Sequence, residues 1–286
     1  MPLFEKPPIA TLPYSRDRWT PLYLEHGRIE VDDSSVKWIG ADRIIFSIPV
    51  SALSAILLGP GTVITHAAVK ACSDSNTPIF WVGEENLRFY ACGLSFTHDN
   101  TNIKLHARMW TSRKYRIAIA RRLFQRRFPN IDVRTKTVPE LRGMEGIRVK
   151  NLYSSLGEKY GVTWKGRKYD KNNWFLADDI NKVISQNNAA LYGLVCSVVC
   201  SLGFLPTLGF IHETGTLPFV YDIADLYKAE TSVESAFVTI KQNLQDNNEM
   251  ARTLFKESIE KHQVLKNMPE DILTLFQDLS DDSTNN

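Results

Sequence analysis

The hydrophobic period of this chain changes once, near residues 97–100 (Thr-His-Asp-Asn), and that change constrains the fold more than any other feature. Before it, turn chemistry recurs every few residues: Asp32-Asp33, Gly40-Ala41-Asp42, Gly59-Pro60-Gly61 and Gly83-Glu84-Glu85-Asn86. Short β-branched and aromatic runs lie between, the pattern of strands joined by tight turns. Strands are expected at 28–31, 36–39, 44–48, 56–58, 79–82 and 88–92. One helix interrupts them: Thr65 can cap a segment through Ala71 in which Ala67, Ala68, Ala71 and Cys72 fall at helical spacing. After residue 100 the period is that of helices throughout, with segments expected at 101–128, 137–160, 178–203, 222–242 and 249–278. The fold class is therefore α+β: a small N-terminal β-sheet domain (1–96), a larger all-α domain (97–280) and a disordered tail (281–286). A length of 286 residues with 43% hydrophobic side chains accommodates two such domains.

The net charge of +2 conceals a segregation that follows the same boundary. Residues 1–100 hold 8 basic and 11 acidic side chains, 101–170 hold 18 and 5, and 171–286 hold 8 and 16. Concentration of cations in one stretch is expected of a face that binds a polyanion. Cys72, Cys92, Cys196 and Cys200 form no CxxC pair and no disulfide framework, and the amino terminus lacks an apolar core followed by a small-residue cleavage site. Both point to a reducing cytoplasm. The uncharged run 183–211 is interrupted by Ser185, Gln186, Asn187, Asn188, Ser197, Ser201 and three glycines, so a buried central helix is expected and no membrane span.

On a helix through Arg113, Lys114, Arg116, Arg121, Arg122, Arg126 and Arg127, the apolar Tyr115, Ile119, Leu123 and Phe124 place most cations on the opposite side. No Glu or Asp stands at i±4 to neutralise them. An ordinary solvated face mixes both signs, so phosphate contact is expected, above all from Arg121, Arg122, Arg126 and Arg127. Loop 161–177 alternates Trp164, Lys165, Arg167, Lys168, Tyr169, Lys171 and Trp174, which suits splayed bases held beside phosphates; the plainer alternative is rings packed on the core.

Acids are scarce in the basic segment, which singles out Glu145, set between Gly143 and Gly146 and flanked by Arg142 and Arg148. A surface salt bridge is the simpler role. His212 ends an apolar approach, and Asp222 and Asp225 share a helix face at i and i+3, either as a cap arrangement or as part of a metal site. Glu, His and Asp make a mostly oxygen donor set, suited to Mg²⁺ or, with the imidazole, Mn²⁺; the cysteines are not placed for zinc. Gly59-Pro60-Gly61-Thr62 lacks the Lys of a phosphate-cradling loop and reads as a turn, and Cys196 with Cys200 reads as core.

Several runs together resemble the CRISPR adaptation integrase of subtype I-E, the CRISPR-associated endonuclease that is the larger subunit of the spacer-acquisition complex. They are Leu141-Arg142-Gly143-Met144-Glu145-Gly146, Tyr160-Gly161-Val162-Thr163-Trp164, Gly166-Arg167-Lys168-Tyr169-Asp170, Gly209-Phe210-Ile211-His212 and Phe219-Val220-Tyr221-Asp222-Ile223-Ala224-Asp225. His26-Gly27-Arg28-Ile29, Gly59-Pro60-Gly61-Thr62, His66-Ala67-Ala68-Val69 and Trp81-Val82-Gly83 extend the likeness into the amino-terminal half. The resemblance implies a dimerising β domain, a helical catalytic domain, and a homodimer, two of which flank a dimer of a small ferredoxin-like subunit as a heterohexamer. It implies Glu145, His212 and Asp225 as ligands of Mg²⁺ or Mn²⁺, with Asp222 as an accompanying catalytic acid. Arg88, Tyr169, Trp174, Tyr192 and Lys228 match positions near the DNA, to which the basic Arg142, Arg148 and Arg167 add further contacts. His26 stands where relatives often carry Tyr, and Val63 where a basic residue can occur.

The reaction so implied is attack by the 3′-hydroxyl of a short DNA duplex on a phosphodiester at the edge of a CRISPR repeat, in the cytoplasm of a bacterium or archaeon. The alternatives are a structure-specific nuclease or resolvase acting on branched DNA, a DNA-binding scaffold without catalysis, and a tyrosine-type recombinase.

Overall fold

The computed structural model describes residues 22–32, 35–53, 55–83, 89–93, 100–167, 177–245 and 248–279. The chain divides into two compact units, one of Met1–Ile103 with Cys196–Leu205, the other of Lys104–Val195 with Pro206–Asn286. The expected α+β class holds: strands come first and helices follow.

The first unit carries two four-stranded sheets. In one, β1 (Leu22–Leu24), β5 (Ile56–Leu58) and β7 (Ile79–Val82) run parallel and β8 (Phe89–Gly93) pairs antiparallel at the edge. In the other, β2 (Gly27–Asp32), β3 (Ser35–Gly40) and β4 (Ile45–Ile48) form an antiparallel meander, and β6 (Thr62–Ile64) joins β2 in parallel. Strands β1 and β6 are not among those expected from the sequence pattern. The chain passes from β5 to β6 through Gly59-Pro60-Gly61, where Gly61 sits at φ 68°, a left-handed position that glycine adopts without steric cost. Helix α1 (His66–Asp74) begins where expected, with Thr65 accepting from the Ala68 N–H at 3.3 Å. It buries Ala68 and Cys72 into a core with Ile29, Trp38, Ile56 and Ile79.

Helix α2 (Thr101–Thr111) and helix α3 (Arg113–Arg127) replace one expected segment, because Ser112 between them is extended (φ −89°, ψ 119°). Helix α4 (Val138–Tyr160) starts with a reciprocal capping box, Thr137 with Glu140, and stops at Gly161 in the left-handed region. Helix α5 (Asp179–Ser201) is the buried helix expected from the uncharged run; it is long and apolar enough to cross a membrane, but 67% of that stretch is buried inside the protein.

Helix α6 (Pro218–Ala224) is followed by a π-helical turn (Ala229–Val233) and helix α7 (Glu234–Lys241), where a single helix 222–242 was expected. Gln263 at φ 50° separates α8 (Asn248–Lys261) from α9 (Val264–Phe276). Leu156, Ile180, Val183, Ile184, Val233, Ala236 and Phe237 join α4, α5 and α7 in a core cluster of the second unit.

Candidate active site

The site is assembled around α6. Segment 208–212, which approaches it, has no regular secondary structure, so side chains must satisfy its backbone. Asp222, fully buried, does most of this. One carboxylate oxygen accepts from the N–H groups of Phe210 (2.6 Å) and Ile211 (3.1 Å). The other accepts from the His212 N–H (2.9 Å) and from the His212 ring (2.8 Å). The carbonyls are held from outside: His106 Nε2 reaches Leu208 O at 2.8 Å, Trp110 Nε1 donates to Gly209 O at 3.0 Å, and Arg142 donates to Ile211 O. Gly209 is required by close approach, since a Cβ there would lie 2.3 Å from His212 O and 2.6 Å from the Pro218 ring.

A carboxylate only accepts hydrogen bonds, so His212 Nδ1 carries the proton that faces Asp222, and in the neutral ring Nε2 is the nitrogen with the lone pair. The ring is 39% exposed, and Nε2 lies 3.8 Å from Asp225 Oδ2. Asp225 also receives Lys228 Nζ at 2.5 Å, and Arg127 Nη1 stands 3.6 Å away. Burial alone would raise the Asp225 pKa; the Lys228 ammonium and the Arg127 guanidinium outweigh it and hold the carboxyl below its ordinary value. Lys228 lies 4.8 Å from the centroid of the Tyr192 ring, Tyr192 meets Tyr221 edge-on, and Tyr221 meets His212 in the same way. Glu145, on α4, is gripped at both oxygens by Arg148, at 2.8 and 3.1 Å.

The donor chemistry fits a divalent cation: an imidazole nitrogen left free by Asp222, an adjacent carboxylate, and a second carboxylate on α4. Among the described residues, however, no group of three or more His, Cys, Asp and Glu side chains stands close enough together to hold an ion. His212 and Asp225 are together; both oxygens of Glu145 are occupied by Arg148. Asp222 has a full set of partners and acts by orienting His212.

The expected cationic face of α3 is corrected by the structure. Arg127, its side chain 2% exposed, donates to the Asp222 carbonyl at 2.9 Å. Arg122 caps the carboxyl end of α9 through the carbonyls of Thr274, Leu275 and Gln277, and Arg126 binds Asp271 (2.7 Å) and Thr274. Arg121 donates to Lys136 O at 3.1 Å. The acids that meet Arg126 and Arg127 are Asp271 and Asp225, far outside the i±4 neighbourhood, and Arg121 and Arg122 are held by backbone carbonyls. Arg142 and Arg148 are likewise engaged within the chain, and Arg167 binds Asn181 (2.7 Å) and Ser185 (2.7 Å). Trp164 stacks on Tyr153 at 4.5 Å beside Phe237, as a core ring. Arg88, Tyr169 and Trp174 lie outside the described residues. Residue-level reading missed His106 and Trp110, whose roles have no local signal. It also did not pair Asp225 with Lys228, which their i,i+3 spacing allows.

Residues 131–264 match the family model described as CRISPR associated protein Cas1. The chain is 45% identical to "CRISPR-associated endonuclease Cas1 2" of Chlorobaculum tepidum, covering 79% of this chain and 77% of that protein. It is 38% identical to "CRISPR-associated endonuclease Cas1 2" of Thermus thermophilus over 96% and 86%. A solved structure, described as a TtCas1–DNA complex, shares 39% identity with a TM-score of 0.77, over 92% of this chain and 98% of that one.

Proposed function

The chain belongs to the CRISPR-associated Cas1 family, and from that premise we propose that it is a metal-dependent DNA endonuclease and integrase of spacer acquisition. It joins the 3′-hydroxyl ends of short foreign duplexes to the CRISPR array. The observation that carries this reading is the four-fold grip of Asp222, which presents His212 Nε2 to Asp225. When bound by His212, Asp225 and Glu145, Mg²⁺ or Mn²⁺ supplies acidification of the attacking hydroxyl and neutralisation of phosphate charge.

The chain's own contribution is preorganisation: Asp222 fixes the imidazole tautomer, and Arg127 braces the backbone of α6 behind it. In the transfer a bond forms between the incoming 3′-oxygen and phosphorus as the bond from phosphorus to the repeat's 3′-oxygen breaks. The proton of the attacking hydroxyl ends on the leaving oxygen, so no cofactor is consumed. With water as the nucleophile the same exchange is hydrolysis.

The assembly belongs to the same proposal: a homodimer joined through the β domain, two of them flanking a dimer of a small ferredoxin-like subunit in a heterohexamer, in the cytoplasm. Subtype I-E, implied by the motifs, is tested by the genes beside the coding sequence. The reaction is tested by incubating a labelled duplex with a supercoiled plasmid carrying a repeat, with the small subunit and Mg²⁺ or Mn²⁺. Joined product is expected, and loss of it in Glu145→Ala and Asp225→Ala. Full joining by both variants would refute the assignment of the site.

A further inference from the structure

Two acids of this site already have cations as partners: Glu145 holds Arg148, and Asp225 holds Lys228 at 2.5 Å with Arg127 at 3.6 Å, whereas the Asp222 carboxylate pairs with His212. The three cations are not alike. Arg127 is sealed in, 2% exposed, and tied to a backbone carbonyl. Arg148 and Lys228 reach solvent, at 33% and 23% exposure, and each lies over an aromatic ring, Phe128 and Tyr192, a contact a cation can leave at modest cost. An arriving divalent ion finds Glu145 and Asp225 already neutralised, so it needs either displaced cations or imported anions.

We infer that Arg148 and Lys228 are exchangeable occupants of the acid site: they hold Glu145 and Asp225 until a divalent cation enters, then pass to the phosphates of bound DNA. The inference rests on the metal-dependent reading of the previous section. It accounts for a donor set of the right chemistry that is not closed around an ion. It also makes metal and DNA binding cooperative, because DNA phosphates supply the partners that the two side chains lose when metal takes their acids. Such coupling is reciprocal: DNA tightens metal by the factor by which metal tightens DNA.

The test is Mn²⁺ binding to the full-length protein, read from the paramagnetic resonance of free Mn²⁺, with and without a branched oligonucleotide duplex. For the wild type, DNA is expected to tighten Mn²⁺ about tenfold, within the usual range of coupling. Arg148→Met and Lys228→Met are expected to bind Mn²⁺ about tenfold more tightly than the wild type in the absence of DNA, and to lose most of the DNA effect. Lys228→Arg, which keeps the charge, should behave as the wild type. Unchanged or weaker Mn²⁺ affinity in both methionine variants, with thermal unfolding intact, would overturn the exchange and leave the metal site standing. Absence of Mn²⁺ binding by every form, with or without DNA, would overturn the metal reading beneath it.

Discussion

Helix α3 and segment 208–212 lie in the same unit and were built by opposite means. Helix α3 is regular, its backbone satisfied internally, and its side chains reach far along the chain for partners: Arg127 to Asp222 and Asp225, Arg126 to Asp271, Arg122 to the end of α9. Segment 208–212 is irregular, and its backbone depends on side chains of α2, α4 and α6. In the first case the polar side chains serve the packing of helices. In the second they replace a missing ladder, and the replacement aims the His212 imidazole. A dense run of cations is thus engaged within the chain, whereas a nearly uncharged, glycine-containing approach presents the His212 ring.

The sharpest way to break this comparison is to remove the acceptor on which the segment depends. Asp222→Ala leaves three N–H groups without their acceptor and should lower stability by about 3–5 kcal/mol, seen as a reduced midpoint in urea. His212→Ala, which removes only the aimed ring, should cost far less stability while abolishing strand transfer. A loss below about 1 kcal/mol for Asp222→Ala would mean that the segment is held by packing and not by this carboxylate.

A pH dependence follows from His106, which grips the same segment. Burial holds its pKa down at about 4, against the pull of the Leu208 carbonyl and the Asp222 charge. The unfolded chain therefore binds a proton that the folded chain refuses. The stability associated with the neutral ring is fully present above the unfolded value near 6.5, is lost as pH falls towards about 4, and changes no further below it. The loss across that window is about 3 kcal/mol. The stability–pH curve of His106→Gln should lack this slope; a curve parallel to the wild type would assign the dependence to another group.

These residues also mark how far the sequence could be read. The strand-then-helix order, the caps at Thr65, Thr137 and Gly161, and the burial of the uncharged helix were legible, because each rests on local period or local hydrogen bonding. Motif resemblance singles out Glu145, His212, Asp222 and Asp225, of which the fold brings the last three together. Their division of labour was not legible: only the fold shows that Asp222 spends all its hydrogen-bonding capacity on residues 210–212. The destination of the α3 arginines was hidden for the same reason. Helical periodicity says which side of α3 a guanidinium leaves from, but a side chain that long can turn back onto α6 or α9, and nothing within four residues records it.

Arg122 separates scaffold from polyanion contact at an intermediate scale. Arg122→Ala frees three carbonyls at the end of α9 and should cost about 1–2 kcal/mol, because they are partly open to water. The salt dependence of DNA binding should stay as it was. A slope flattened by this single change would return the residue to the phosphate track.

The smallest expected change in stability comes from the opposite end of the same helix. Arg113 and Lys114 lie exposed in the first turn of α3, away from the carbonyls and acids that occupy Arg121 to Arg127. Replacing both with Gln should alter stability by less than about 0.5 kcal/mol. If they are where this helix meets DNA, each lost phosphate contact removes about 0.9 from the log–log slope of affinity against salt, equally for all sequences. The comparison is decided by setting this pair beside Arg122→Ala: a change of slope with intact stability at one end, and lost stability with an intact slope at the other, would show that one basic helix divides its cations between partner and core.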